Sequence, residues 1–241
     1  MSGAKLNDRL RTVASFVRQD AIFADIGTDH AYLPVFLLSV GRIKKAYATD
    51  INEGPLNKAR ENIASAGYSN AVELRLANGA EGLSDLGIED YAICGMGGEL
   101  IADIIEASAH LMSEEVLLHL QPMSRQEHLR KYLGRSGFAV IGEGYSFDGG
   151  KYYLSLSAKY TGIKRNVSDE EAAFGDKNIE IVNKSAQIGY IKSKIRALKR
   201  AAEGKIEGGD QALSELALIA HGEEYLAFLT AGASNDERHN I

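Results

Sequence analysis

Between Phe23 and Pro34 the chain reads FADIGTDHAYLP, a stretch whose residue types can do chemistry. An apolar run delivers Asp25, and Gly27 follows two positions later. In the acid-x-Gly-x-Gly-x-Gly turn of nucleotide-binding folds two more glycines would follow, and here Asp29 and Ala31 hold those places with His30 between them. Gly27 lets a ligand approach the backbone closely, and the start of the next helix favours electron-rich groups. A carboxylate at 29 would repel a pyrophosphate. With Asp25 it suits a cation instead.

Three further positions share this logic. Asp50, 23 residues beyond Gly27, ends a strand and can accept hydrogen bonds from both hydroxyls of a ribose. In ANGAEGL, Asn78 can bond an adenine edge while Gly79 makes room for the ring. In CGMGGELI, Gly95, Gly97 and Gly98 bring backbone close to a ligand, with Met96 as an apolar wall. Each has a plainer reading: a tight turn at Gly27, a solvated acid or helix cap at Asp50, an Asn-Gly turn at 78–79. Together they favour S-adenosylmethionine, which has no phosphate and carries a sulfonium and an ammonium, over NAD. Cys94 reads as a small buried hydrophobe, not a nucleophile.

These residues need a scaffold that brings strand ends together, and strand and helix signals alternate along residues 21–137. Strands are expected at AIFADI, KKAYATD, AVELRLA, DYAICG and EVLLHLQ, with helices at 31–40, 54–67, 99–112 and 125–137. A further helix over 5–17 has Leu6, Leu10, Val13, Ala14 and Val17 on one face. FAVIGEGYSF and KYYLSLSAKY, joined through DGG, form a hairpin. The pattern implies a doubly wound α/β sheet that is mostly parallel, with an antiparallel edge and its ligand beyond the carboxyl ends of the strands. After Tyr160 a linker leads to a helix start capped by Ser168. Apolar residues then recur at helical spacing from Ile179 to Ala202, and again over 211–229 after EGGD. The expected division is a domain over 1–160 and a helical, partly basic one over 161–241.

Composition narrows the function classes. The chain has 241 residues, one cysteine and a net charge of −6. A disulfide framework is excluded, and a reducing cytoplasm suits the lone thiol. No apolar run approaches the roughly 20 residues of a membrane span, and MSGAKLNDRLRTV has no apolar signal core. No metal and no obligate protein partner is expected. The net charge argues weakly against nucleic acid, but binding depends on local patches.

ADIGTDHAYLP, INEGP, CGMGG and LQP, in this order, resemble the bacterial TrmK family of tRNA methyltransferases, which act on N1 of adenine 22. The resemblance covers about residues 5–160 as motifs and the tail as architecture. It implies a class I, Rossmann-like methyltransferase fold with a coiled-coil-like appendage. Cofactor contacts would then fall at Asp25, Gly27, Thr28, His30, Asp50, Ile51, Asn52, Asn78, Gly79, Gly95, Met96, Gly97 and Gly98. The chain departs from the family in reading LQPM, with Met123 in place of the common asparagine.

Adenine N1 carries its own lone pair, so methyl transfer needs placement and charge stabilisation more than a base. Asp29 is the candidate catalytic residue, accepting from N6 and stabilising the ring cation; the alternative is that it caps the next helix. His30 would support the loop or the cofactor and not act as a base, and Tyr32 would pack within the helix, with stacking on adenine as the alternative. Target nucleotides hidden by stacking must be turned out, which requires phosphate contacts elsewhere. Lys192, Lys194, Arg196, Lys199 and Arg200 are the candidate tRNA contacts, with Arg9, Arg11 and Arg18 as additions; a solvated helix face is the alternative. Rival functions are a same-fold methyltransferase on another RNA, a small molecule or a protein, and a non-catalytic RNA-binding module.

Overall fold

The computed structural model describes residues 6–236. One eight-stranded sheet, in the order β3-β2-β1-β4-β5-β7-β6-β8, forms the centre. Its strands are β1 Ile22–Ile26, β2 Lys45–Asp50, β3 Val72–Leu76, β4 Asp90–Gly97, β5 Leu117–Ser124, β6 Phe138–Asp148, β7 Lys151–Tyr160 and β8 Glu180–Val182. β7 runs antiparallel to both β5 and β6, and the other pairings are parallel. The order reverses at β1, between β2 and β4. That is where a doubly wound sheet opens its crevice.

Helices α1 Asp8–Phe16, α2 Tyr32–Ser39 and α3 Glu53–Ala66 cover one face, joined by Val13, Leu33, Leu37 and Ile63 around Phe23. On the other face, α4 Gly98–Glu106 and α5 Gln126–Arg135 pack through Ile101, Ile105, Leu129 and Leu133. The same apolar cluster runs on into the tail, α6 Asp169–Phe174, α7 Lys184–Glu207 and α8 Leu213–Asp236, through Phe174, Tyr190, Ile191 and Ile195. Local signals hold at several ends. Gly67 closes α3 at φ +82°, and Ser168 Oγ accepts from Glu171 N–H at 3.1 Å to start α6. No helix among the described residues is long and apolar enough to cross a membrane.

Three expectations are corrected. The helix expected from Ile179 begins only at Lys184, because Glu180–Val182 pair with Gly142–Gly144 as β8. The helix expected over 99–112 stops at Glu106, and Ala109–Leu111 form a separate single turn. The sheet is also not finished at Tyr160. Arg130, buried under α6, donates to Glu143 Oε1 at 2.7 and 3.0 Å and to the Ala172 carbonyl at 2.9 Å. A buried guanidinium needs all of these acceptors, so the tail completes the core it covers.

Candidate active site at the carboxyl edge of the sheet

The β1–α2 loop holds the residues singled out in the sequence. Gly27 sits at φ +72°, and a Cβ there would fall 2.0 Å from Met96 Cε. The glycine is required twice, for its backbone angle and for the room it leaves. Thr28 N–H donates to the Thr49 carbonyl at 2.8 Å, tying the loop to β2. Thr28 Oγ1 donates to Asp25 Oδ2 at 2.6 Å and accepts from Ala31 N–H at 3.1 Å. Ala31 is the residue that precedes α2, and no side chain caps that helix, so Asp29 does not take the cap role considered for it and Thr28 instead ties the loop together ahead of the helix. Ala31 itself lies at φ +54°, an angle that costs a residue with a Cβ and that clusters at functional sites.

Asp29 is left pointing outward, its side chain 73% exposed and 3.3 Å from His30 Nε2. The His30 ring stacks on Tyr32, centroids 5.1 Å apart at 20°. Tyr32 is exposed and not packed within the helix as expected. Acid, imidazole and phenol thus line one rim. Asp25, by contrast, is buried. Burial pushes its carboxyl up to about 6, against the opposing pull of the Thr28 hydroxyl and the Arg9 guanidinium.

Arg9, grouped in the sequence with the candidate tRNA contacts, lies at the cleft. It belongs to α1 and donates through Nη1 to Gln121 Oε1. The same oxygen accepts from Gly95 N–H at 3.2 Å, so buried Gln121 joins α1, the end of β4 and the end of β5. Gln121 Nε2 also lies 3.6 Å from Met123 Sδ, which turns the thioether towards the same region. The signal for Gln121 was the LQP motif; nothing local marks Arg9. The cleft these residues enclose has a volume of about 440 Å³ and is lined by Arg9, Leu10, Asp25, residues 27–32 and 94–96. Burial, aided by the charge of Asp25, pushes the Cys94 thiol far up, so it stays protonated and unreactive.

Asp50, Asn78 and Gly79 lie on the same edge outside this cleft, at the ends of β2 and β3. Asp50 Oδ1 accepts from Asn52 N–H at 2.8 Å, which fixes the carboxylate. Thr49 Oγ1 donates to the Gly79 carbonyl at 2.9 Å, and a Cβ on Gly79 would meet Ile104 Cγ2 at 3.1 Å. Ile51 is exposed beside them. The glycines at 95–98, read as a loop, are the irregular end of β4, where register slips at Met96 and Gly97. Gly98 has a reason of its own, since a Cβ would fall 2.4 Å from the Arg125 carbonyl. Gly97 meets only Ser124 Oγ at 3.4 Å.

The basic candidates separate. Lys192, Arg196 and Arg200 are exposed on α7. Lys199 pairs with Glu223 of α8 at 2.7 Å. Lys194 turns inward: its side chain is 13% exposed, paired with Glu127 of α5 and 5.7 Å over the Tyr190 ring. Arg18 binds buried Asp90 at the opposite end of the sheet, through Nε at 2.6 Å, and Arg11 lies over Phe36. Neither reaches the cleft.

A family model described as a methyltransferase domain matches residues 6–156. The tRNA (adenine(22)-N(1))-methyltransferase of Bacillus subtilis is 32% identical over 227 residues, which is 90% of this chain and 94% of that protein. A Streptococcus pneumoniae structure described as a putative tRNA (m1A22) methyltransferase superposes with a TM-score of 0.79 at 31% identity, covering 92% of this chain and 100% of that one. The same streptococcal protein has been solved with S-adenosyl-L-methionine. Mycoplasma capricolum TrmK, solved with S-adenosyl-homocysteine, covers 93% of this chain and 99% of its own at 26% identity and a TM-score of 0.75. On this identity over nearly the whole length of both chains, the chain belongs to the TrmK family of bacterial tRNA (adenine-22-N1)-methyltransferases.

Proposed function

We propose that this protein methylates N1 of adenine 22 in tRNA with S-adenosylmethionine, in the cytoplasm where that substrate is found. The observation that carries the reading is the β1–α2 loop. No side chain caps α2, and Asp29 stands exposed beside His30 at the rim of a cleft that Gly27 and Met96 also line. The cofactor fits the residues present. Gly27 and Gly79 sit where a Cβ would crowd a neighbour, acids line the cleft, and the β1–α2 loop provides no seat for a phosphate.

S-adenosylmethionine supplies an electrophilic methyl group on a sulfonium; positioning and charge are the work of the protein. Asp50 is the ribose-hydroxyl acceptor, with Ile51, Asn52, Asn78 and Gly79 around the adenosine half. Asp25, Thr28, His30, Gly95 and Met96 surround the methionine half, and Arg9 offers a guanidinium in the cleft for a carboxylate. Asp29 accepts from the exocyclic N6 of the target adenine and stabilises the positive charge that its ring acquires. The His30–Tyr32 pair gives the turned-out base a flat wall.

We assign the remaining RNA contact to phosphates along α7, through Lys192, Arg196 and Arg200, with Lys199 partly engaged and Lys194 acting as the strut that holds α7 to α5. In this reading residues 1–160 carry the chemistry and 161–241 the substrate surface. The test is transfer of labelled methyl from S-adenosylmethionine to tRNA transcripts with adenine or guanine at position 22. Label in the adenine transcript alone supports the reading. Equal label in both, or in neither, rejects it.

A further inference from the structure

The β6–β7 hairpin carries an aromatic ring, Phe147, that neither the core nor the cleft accounts for. Leu120 of β5 faces Leu156 of β7 in antiparallel register, so β7 reaches back towards Lys151 as β5 runs forward to Ser124. Ser124 in turn pairs with Gly97 at the end of β4. The hairpin turn therefore lies at the same edge of the sheet as the candidate site.

Phe147 and Tyr152 are cross-strand partners beside that turn, with ring centroids 4.6 Å apart at 48°. Tyr152 is clamped from behind, because a Cβ on Gly189 of α7 would fall 2.3 Å from its ring carbon. Helix α7 has given up a side chain to admit that ring. Phe147 is held by Tyr152 yet remains 51% exposed. A large ring fixed in place and left half in water gains little for folding.

The neighbours are cationic and open. Lys192 is exposed one helical turn beyond Gly189, on the side of the sheet that Tyr152 and Phe147 face, and Lys151, opposite Asp148, is exposed at the turn on the other face. Gly149 and Gly150 complete the turn with nothing within 4 Å of either added Cβ. Asp148 is an acid beside the turn, opposite Lys151 in the register. A rigid exposed ring, with one cation beyond its brace and another at the turn where a strand of nucleic acid would pass, is the arrangement that stacks an unpaired base and neutralises its phosphates. A protein partner would instead require a contiguous apolar patch, and here glycine, aspartate and lysine interrupt it.

We propose that Phe147, braced by Tyr152 against α7, is a stacking platform for an unpaired nucleotide of the tRNA near the turned-out adenine, with Lys151 and Lys192 taking adjacent phosphates. The proposal rests on the tRNA reading above and names a surface that links the cleft to the basic stripe of α7.

The test compares Phe147→Ala, Phe147→Leu and Phe147→Trp in tRNA binding, with calorimetric S-adenosylmethionine affinity and thermal unfolding as controls. Phe147→Ala should weaken tRNA binding about 5- to 160-fold, the range for losing one base–aromatic stack, and leave cofactor affinity unchanged. Trp should restore binding and Leu should not. Lys151→Ala should lower the slope of log affinity against log salt by about one. Wild-type tRNA affinity in Phe147→Ala, full function with Leu, or a Phe147-dependent dimer in sedimentation would each overturn the platform. If the wild type methylates tRNA while Phe147→Ala matches it, the platform alone fails; if the wild type does not, the functional reading fails first.

Discussion

Asp25 should be a residue whose ionisation costs the folded protein stability. Its carboxyl lies at about 6 in the fold against 3.8 for the ordinary group, because burial outweighs the help of Thr28 and Arg9. A raised folded value means that the folded chain holds the proton more tightly than the unfolded one. Stability is therefore lost as pH rises from about 4 to about 6, and the loss is complete above that window. Two pKa units correspond to roughly 3 kcal/mol at pH 7, and the same two values leave about 1 kcal/mol at pH 4.5. Asp25→Asn keeps the shape and an acceptor for the Thr28 hydroxyl while removing the charge. The variant should be more stable than the parent at pH 7 by about 1–3 kcal/mol, the lower end reflecting the neighbour that Arg9 loses. That gain should shrink at pH 4.5, and cofactor affinity should fall. Urea unfolding of both proteins at the two pH values, beside calorimetric titration with S-adenosylmethionine, measures all three. An Asn variant less stable at pH 7, or a gain that does not shrink in acid, would refute the reasoning.

The remaining predictions concern the loop and the tail. Gly27→Ala places a side chain at φ +72° and 2.0 Å from Met96 Cε, so it should lose about 1–2 kcal/mol of stability from the backbone angle alone and bind cofactor poorly. Met96→Ala in the same chain should recover part of the cofactor affinity, and calorimetry of both variants checks this. Asp29→Asn should lower single-turnover methylation by roughly 100-fold with little change in cofactor affinity; equal losses in both would make it a cofactor ligand. Lys192, Arg196 and Arg200 changed together to Ala should weaken tRNA binding and reduce its salt slope by about three, with the melting temperature held. Lys194→Ala should instead lower the melting temperature, since it leaves half-buried Glu127 without its partner.

Much of this was legible because the signals are local. The acid-x-glycine turn, Asp50 at its distance and the hairpin through DGG depend on neighbours in sequence, and the structure puts them on one edge. Ser168 could be read as a cap because its acceptor and the Glu171 N–H are three residues apart. What stayed hidden depends on distant partners. Lys194 looked like a surface cation, and only Glu127, 67 positions away, turns it inward. Gly98 looked like part of a ligand loop, while its neighbour is the carbonyl of Arg125. β8 is three residues long, too short to show a period of two, and its flank of helical spacing masked it. Arg9 looked like one of several amino-terminal cations, and only the packing of α1 across the sheet carries it to Gln121.

The most direct test of the central claim is nucleoside analysis of tRNA from cells lacking this protein, with the modified position mapped by mass spectrometry of nuclease fragments. N1-methyladenine at position 22 should disappear and return when the gene is restored, but not when it is restored as Asp29→Asn. N1-methyladenine persisting at position 22 in the deficient cells would contradict the account.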